Sequence, residues 1–190
     1  MKFRAVGLFL LGAVSTVASA DNIDINLRDE AIRASYSMEL KDRGYAGLSA
    51  EAGLLYSEDK KKLDDTLYHI GLHVSGENWS QSGTFDISLG GRLYYASPGD
   101  ADLAALGVGG AIRFSPAHRF GIGAHLYYAP DITSFMDAKR FQETGIRVDY
   151  QILPQAFVYV GYRQIEVDIE DGPKDVELDD DAHIGFKMLF

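Results

Sequence analysis

A histidine and a serine two residues apart, His73 and Ser75, are the residues of this chain whose types and spacing could do covalent chemistry. A serine becomes a nucleophile when a nearby base accepts its proton, and histidine is the usual base. Gly76 follows the serine, and the sequence shows no third residue that would orient the histidine. The pair therefore predicts a structural role in preference to a hydrolytic site.

Three histidines, His69, His73 and His125, are candidate metal ligands by type. Two of them are four residues apart, which is roughly 13 Å on an extended strand at ~3.3 Å per residue. That separation is too long for both side chains to bind one ion. The sequence therefore predicts no metal site among the histidines and no cofactor.

The first twenty residues have the three-part layout of a secretory signal peptide. Lys2 and Arg4 precede the apolar run AVGLFLLGAV, and small residues then lead up to Ala20. Cleavage between Ala20 and Asp21 is predicted, so that residues 1–20 are the signal peptide and residues 21–190 the single mature domain. Loss of two basic residues changes the formal charge from −10 to −12, which argues against a nucleic-acid partner. The chain has no cysteine, so no disulfide stabilises it outside the cytoplasm.

Apolar residues alternate with polar or small residues along the mature chain, which is the period of a strand with one apolar face. No segment shows a sustained helical period, and no stretch after the signal peptide approaches the ~20 apolar residues of a helical membrane span. The chain is therefore predicted to be all-β. The alternating runs cover residues 23–27, 32–40, 46–56, 68–74, 85–95, 106–114, 120–128, 146–152, 156–162 and 182–190.

The connections between these runs alternate in length. KDRG, ENWSQSG, SPAHR and ILPQ are short, whereas SEDKKKLDD, ASPGDADLA, APDITSFMDAKR and DIEDGPKDVELDDD are longer and more polar. Bacterial outer-membrane barrels have short periplasmic turns, longer external loops and an even strand number. The prediction is a transmembrane antiparallel up-and-down β-barrel of ten strands in the bacterial outer membrane. Eight strands is the alternative, because a crossing strand needs ~9–11 residues and the first run is short.

Aromatic residues decide whether the apolar face points outward into lipid or inward, as it would in a soluble barrel. Once the loops set the strand directions, the aromatic residues fall at the two ends of the apolar stripes, as they do in the interfacial girdles of membrane barrels. The external girdle is predicted to contain Tyr56, Tyr68, Tyr95, Tyr128 and Tyr162, and the periplasmic girdle Phe85, Phe114, Phe120, Tyr150 and Phe190. The apolar face is therefore predicted to meet lipid.

The opposite face, which would line the lumen, carries glycines that ease tight curvature and charged residues of both signs. Buried charges must be paired, so we expect a hydrogen-bonded network that largely fills the lumen. The network is predicted to include Arg33, Glu51, Asp86, Arg92, Arg113, Glu143, Arg147, Asp149, Arg163 and Lys187. Within it, Arg92, Arg113, Arg147 and Arg163 are expected to bind Glu51, Asp86, Glu143 and Asp149. The alternative makes the arginines a selectivity ring in a narrow pore, which ten strands would accommodate better than eight.

Two charged segments are predicted to lie in external loops. Eight acidic residues surround Lys174 in the last loop, and a solvated loop is expected because the spacing is not that of a calcium-binding EF-hand. These acids are Asp168, Glu170, Asp171, Asp175, Glu177, Asp179, Asp180 and Asp181. A divalent ion shared with lipopolysaccharide phosphates is the alternative. The basic run at residues 60–62 could meet such phosphates directly.

The stretch NIDINLRDEAIRASYS, the glycine- and tyrosine-rich strands and the IGFKMLF end together resemble the YfaZ family of small outer-membrane proteins. The resemblance covers the mature chain; it implies location and fold, and carries over no catalytic residue. A last strand ending in Phe190 also resembles the signature that the outer-membrane assembly machinery recognises. That machinery, outer-membrane lipids and lipopolysaccharide are the expected partners of a monomer.

Three functional classes remain open at this point. A structural, envelope or surface role with a largely filled lumen is the expectation, and a narrow porin-like pore for small solutes is the alternative. The third class is a lipid-modifying enzyme, because lipid A deacylases use a His-x-Ser pair. In those enzymes asparagine follows the serine, whereas this chain has Gly76, so enzyme activity is not expected.

Overall fold

The computed structural model of this chain describes residues 21–42, 46–57, 65–80, 83–97, 102–169 and 176–190, nearly all of them in strands. The predicted signal peptide and the basic run at residues 60–62 lie outside these ranges. Within them, no helix is long and apolar enough to span a membrane. The strands are β1 (Asn22–Arg28), β2 (Ala31–Asp42), β3 (Gly47–Ser57), β4 (Asp65–Ser80), β5 (Gly83–Ala96), β6 (Leu103–Ala117), β7 (Phe120–Ala129), β8 (Ser134–Met136), β9 (Ala138–Leu153), β10 (Ala156–Ile169) and β11 (Val176–Leu189).

Ten of these strands close into one antiparallel barrel. Each barrel strand pairs with its neighbours along the chain, β5 pairs with β6, and β1 pairs with β11 to complete the ring. The ends of the described chain are also joined, because the backbone N–H and C=O groups of Asp21 and Phe190 exchange hydrogen bonds of 3.1 and 2.9 Å. The predicted ten-stranded barrel is therefore confirmed, because every barrel strand pairs with a neighbour on each side.

The two ends of the barrel differ. The end that holds Asp21 and Phe190, called here the terminal end, has connections of two to four residues between strands. The opposite end, called the loop end, has one two-residue turn after β1, and its other connections have six to eight residues. This asymmetry is the one predicted from the sequence.

The short strand β8 completes the wall at the loop end. Strand β7 ends at Ala129, while its neighbour β6 begins further towards the loop end. A single turn of 3-10 helix (Asp131–Thr133) reverses the chain, and β8 then pairs with Leu103–Ala105 of β6. The exposed edge of β6 is thereby covered.

The barrel strands are longer than the alternation predicts. Most of the predicted ENWSQSG turn is strand, because β4 continues to Ser80 and β5 starts at Gly83. The prediction of a solvated acidic loop at residues 168–181 is wrong for most of its length, since β10 runs to Ile169 and β11 starts at Val176. The strands continue there because some of the acids face inward and find basic partners, as described below.

The outer surface is apolar, and its aromatic residues lie near the ends of the strands. Tyr68 of β4 is the cross-strand partner of Tyr95 of β5, and all five tyrosines of the predicted external girdle are exposed towards the loop end. At the terminal end Phe120, Tyr150 and Phe190 are exposed, while Phe85 and Phe114 are half-buried and stack at 4.5 Å.

We predict opposite outcomes for arginine at two adjacent positions of β5. Leu89 is 66% exposed on the apolar outer surface, and Leu89→Arg should lower the free energy of unfolding by ~2–4 kcal/mol, as a charge near the bilayer midplane does. Ser88 faces the interior and lines a cavity there, so Ser88→Arg should act only through crowding. Denaturant unfolding of barrels refolded into lipid vesicles measures both. A larger loss for Ser88→Arg would reverse the assignment of inside and outside.

Candidate functional site

Side chains fill the half of the barrel interior near the loop end with an apolar cluster, called here the plug. Its members come from β3 to β7 and β9 to β11, and each is at most 7% exposed. They are Leu55, Leu67, Tyr94, Ala96, Leu103, Ala105, Tyr127, Ala129, Ala138, Phe141, Ile165, Val167 and Leu178. The rings of Tyr94 and Phe141 are 4.2 Å apart. Because eight strands contribute, the plug spans the lumen from wall to wall.

Sequence analysis missed the plug, although the sequence contains a signal for it. Leu55, Tyr94 and Tyr127 each stand next to an apolar residue that faces outward, in the pairs Leu54-Leu55, Tyr94-Tyr95 and Tyr127-Tyr128. An apolar doublet breaks the alternation and buries apolar groups on both faces of the strand. All three doublets lie near the loop end, where they mark an apolar lumen.

Below the plug, the carboxylate of Glu143 on β9 joins opposite walls of the barrel. Glu143 is fully buried, and its Oε1 lies 2.7 Å from Nη1 of Arg33 on β2. The other oxygen, Oε2, accepts hydrogen bonds from the hydroxyl of Tyr94 at 2.6 Å and from Arg92 Nη1 at 3.3 Å. His125 Nε2 lies 3.4 Å from Oε1. Four side chains from three strands, β2, β5 and β7, therefore converge on one buried anion.

Arg92 extends this network to a second carboxylate. Its Nη2 lies 3.0 and 3.1 Å from the two oxygens of Glu51, whose Oε1 is also 2.8 Å from His69 Nε2. The guanidinium carbon of Arg92 stands 4.0 Å from the centre of the Tyr127 ring, a cation–π contact that ties the network to the plug. Two acids and two arginines thus compensate each other in the middle of the lumen.

A third group of ion pairs lies at the loop end and uses acids that sequence analysis assigned to a solvated loop. Arg163 does not bind one of the predicted acids; its Nε contacts Asp179 at 2.5 Å. Nη1 of Arg28 lies 2.8 Å from Asp179 and 2.6 Å from Asp181. Asp179 is only 1% exposed. These pairs explain why β11 continues through the acidic segment.

Nearer the terminal end, Arg113 and Arg147 hold three further carboxylates, those of Asp24, Asp86 and Asp149. Arg113 makes a two-pronged contact with Asp149, at 2.9 and 2.6 Å, and a longer one of 3.3 Å with Asp86. Arg147 lies 3.5 Å from Asp24, an acid that was not among its predicted partners. The side chains of Arg113 and Asp86 are 24% and 42% exposed. Solvent access therefore rises from the buried network towards the terminal end.

A cavity of about 460 Å³ occupies the interior below the plug. It extends from Glu143 and Arg163 down to Asn22 and Leu189, the first and last strand residues of the ring. Serines from β2 to β5 line one wall, and the opposite wall carries basic and aromatic side chains. The serines are Ser35, Ser37, Ser49, Ser75 and Ser88, and the basic and aromatic residues are Arg147, Phe157, Tyr159 and Lys187.

Lumen glycines make room for the large side chains. The four histidines His69, His73, His125 and His183 stand directly across the ladder from Gly53, Gly90, Gly145 and Gly161. A Cβ at Gly161 would lie 2.8 Å from His183 Nε2, closer than real contacts allow. The ring therefore lies over bare backbone, an arrangement known to stabilise glycine in sheets.

The histidine–serine pair found in the sequence faces this cavity. Nδ1 of His73 lies 4.0 Å from Glu51, and its buried Nε2 makes no hydrogen bond within the described part of the chain. Ser75, two residues further along β4, therefore has no bond to that nitrogen. Both residues face the lumen and not lipid, so the geometry gives a lipid-modifying reaction no support.

Comparisons with known proteins agree with the predicted family and location. The family model described as YfaZ precursor matches residues 1–190. Outer membrane protein YfaZ of Escherichia coli (strain K12) is 28% identical over 105 residues, which are 54% of this chain and 57% of that protein. The chain therefore matches little more than half the length of this curated relative.

Three solved structures align with most of this chain. The outer membrane channel DcaP of Acinetobacter baumannii aligns with a TM-score of 0.46 and 16% identity, over 94% of this chain and 56% of its own. The NanC porin aligns with a TM-score of 0.45 and 12% identity, over 90% and 99% of the two chains. The KdgM porin aligns with a TM-score of 0.44 and 13% identity, over 90% of this chain and 99% of its own.

Glu143→Gln should destabilise the barrel strongly. The substitution keeps the shape of the side chain but removes the charge on which Arg33 and Arg92 converge, and breaking a buried ion pair from one side costs about 3–5 kcal/mol. Asp131→Asn, at an exposed position of the loop end, is the matched control with the same loss of charge. Denaturant unfolding in detergent compares the two. Equal midpoints for both variants would contradict a central role for Glu143.

Proposed function

This chain belongs to the YfaZ family and resides in the bacterial outer membrane, and on that premise we propose that it is a non-conducting envelope barrel. In this proposal the barrel spans the membrane as a structural or surface element and lets no solute pass through its lumen. The observation that carries the proposal is the plug, a buried apolar cluster contributed by eight strands.

The plug opposes conduction for a physical reason. An ion that crosses an apolar, water-free zone loses its hydration and gains no compensating partner, which costs several kcal/mol even after relaxation. Hydrophobic constrictions close membrane channels in this way. The plug residues are strand side chains and not a separate inserted loop, so opening the lumen would require the core packing itself to be lost.

The network around Glu143 adds a second barrier directly below the plug. Arg33 and Glu143 bridge β2 and β9, while Arg92 bridges β5 to both Glu51 and Glu143. Guanidinium groups held by two carboxylates are not free to line a path for passing anions. The paired arginines therefore support a filled lumen, and they argue against the alternative of an arginine selectivity ring.

The outer surface supports the envelope role. Its apolar stripes and aromatic girdles suit direct contact with outer-membrane lipid, and the longer loop-end connections would face outward, where lipopolysaccharide lies. The last strand, ending at Phe190, would be the segment that the assembly machinery recognises. The ring closes through the pairing of β1 with β11 within one chain, so no partner copy is needed to complete it, which supports a monomer.

A narrow pore is the second candidate, and the cavity favours it. A polar space of about 460 Å³ already occupies the terminal-end half of the lumen. A pore would need this space to continue past Tyr94 and Phe141. No enzymatic role is proposed, because His73 and Ser75 lack the contacts of a nucleophile and its base.

Single-channel recording of the refolded mature chain tests the proposal. The wild-type barrel should give no current steps, whereas Tyr94→Ala combined with Phe141→Ala should open a path, because the facing rings of the plug are lost. Leu93→Ala with Leu106→Ala, on the outer face of β5 and β6, is the matched control and should stay silent. Boiled and unboiled samples of each variant should migrate differently on a denaturing gel, which verifies that the variant forms a closed barrel. Current steps in the wild-type protein would contradict the proposal and favour the pore.

A further inference from the structure

Lys187 differs from the arginines of the lumen in its electrostatic partners. It lies on β11 between Asp24 of β1 and Phe157 of β10 in the register, and it lines the cavity. Arg33, Arg92, Arg113, Arg147 and Arg163 each have a carboxylate oxygen within 4.0 Å. Among the residues that the structure describes, Lys187 forms neither an ion pair within that distance nor a hydrogen bond.

The acid next to Lys187 in the sheet is already engaged by other groups. The hydroxyl of Tyr159 donates a hydrogen bond to Asp24, and Arg147 Nη1 lies 3.5 Å from the same carboxylate. One negative charge therefore serves two cations at this place. Four other acids of the cavity are held elsewhere, Asp86 and Asp149 by Arg113, and Glu51 and Glu143 by the central network. The remaining one, Glu39, also has a partner of its own.

A partly buried cation that shares a single carboxylate with an arginine is incompletely compensated, and an anion in the cavity would relieve that cost. We propose that the cavity binds a small solute that carries a phosphate or carboxylate group, with the oxyanion between Lys187 and Arg147. The two side chains suit this role, since an ammonium group supplies a point charge and a guanidinium group supplies paired donors.

The rest of the cavity suits an organic solute attached to that oxyanion. Its volume of about 460 Å³ lies in the range of small-molecule sites. The serine wall offers hydroxyl groups that donate and accept hydrogen bonds, and the ring of Phe157 beside Lys187 offers an apolar surface. Access is from the terminal end, because the plug closes the other end. In the orientation proposed above, the solute would come from the periplasm.

Calorimetric titration of the refolded mature barrel with inorganic phosphate tests the site. A neutral sugar detergent without phosphate groups and a reference titration with sodium chloride at equal ionic strength isolate specific binding. The wild-type protein should show saturable heat, and Lys187→Met should weaken phosphate binding roughly tenfold or more, as expected for the loss of a charged hydrogen-bond donor. Lys139→Met, at an exposed position of β9 near the loop end, should bind as the wild type does.

The stability of the variants separates this site from the structural network. Lys187→Met should not lower the unfolding midpoint, because no ion pair is broken. Arg147→Met is a second variant, and it should also weaken phosphate binding. No saturable heat with the wild type, or equal affinity in Lys187→Met, would overturn the proposal. Binding of a short-chain phosphatidylglycerol without binding of inorganic phosphate would overturn a solute site in favour of a lipid headgroup. None of these results depends on whether ions pass through the lumen.

Discussion

A closed ring of ten strands satisfies every backbone group of the wall but encloses an interior that either side chains or water must fill. In this barrel large side chains fill the part of the interior near the loop end. They fit because glycines stand opposite them in the ladder, as Gly53 does for His69 and Gly185 for Tyr159. The buried carboxylate of Glu143 then links these side chains across the lumen, since it binds Arg33 from one wall and Arg92 from another.

The interior changes character along the barrel axis, and this gradient connects structure with function. The plug at the loop end is apolar and buried, the network around Glu143 is buried but charged, and the cavity at the terminal end is polar and increasingly exposed. A barrel with this gradient is closed from one side and accessible from the other. The two proposals, an envelope role and a solute site, both depend on this gradient, because the first needs the closed side and the second needs the accessible side.

The fold could be predicted from the sequence because it depends on local pattern. Alternation with period two gives the strands, connection lengths give their direction, and both are visible without partners. The interior could be predicted only in part, because ion pairs across a lumen join residues far apart in the chain. Arg163 was expected to bind an acid of the predicted network but binds Asp179, and nothing local distinguishes an inward-facing acid of β11 from a solvated loop residue. The apolar doublets are a local signal for the plug, but strict alternation does not predict them, because each doublet places apolar side chains on both faces of its strand.

The central claim, that the lumen is sealed at the loop end and accessible at the terminal end, can be tested by thiol accessibility, since the chain has no cysteine of its own. Ser49→Cys places a thiol on the serine wall of the cavity, and Ile132→Cys places one on the exposed loop end. Both are inserted into liposomes in one known orientation and treated with a small charged methanethiosulfonate from either side. If the lumen is sealed at the loop end, the thiol at position 49 should react only from the terminal-end side and the thiol at position 132 only from the loop-end side. Reaction of the thiol at position 49 at comparable rates from both sides would contradict it.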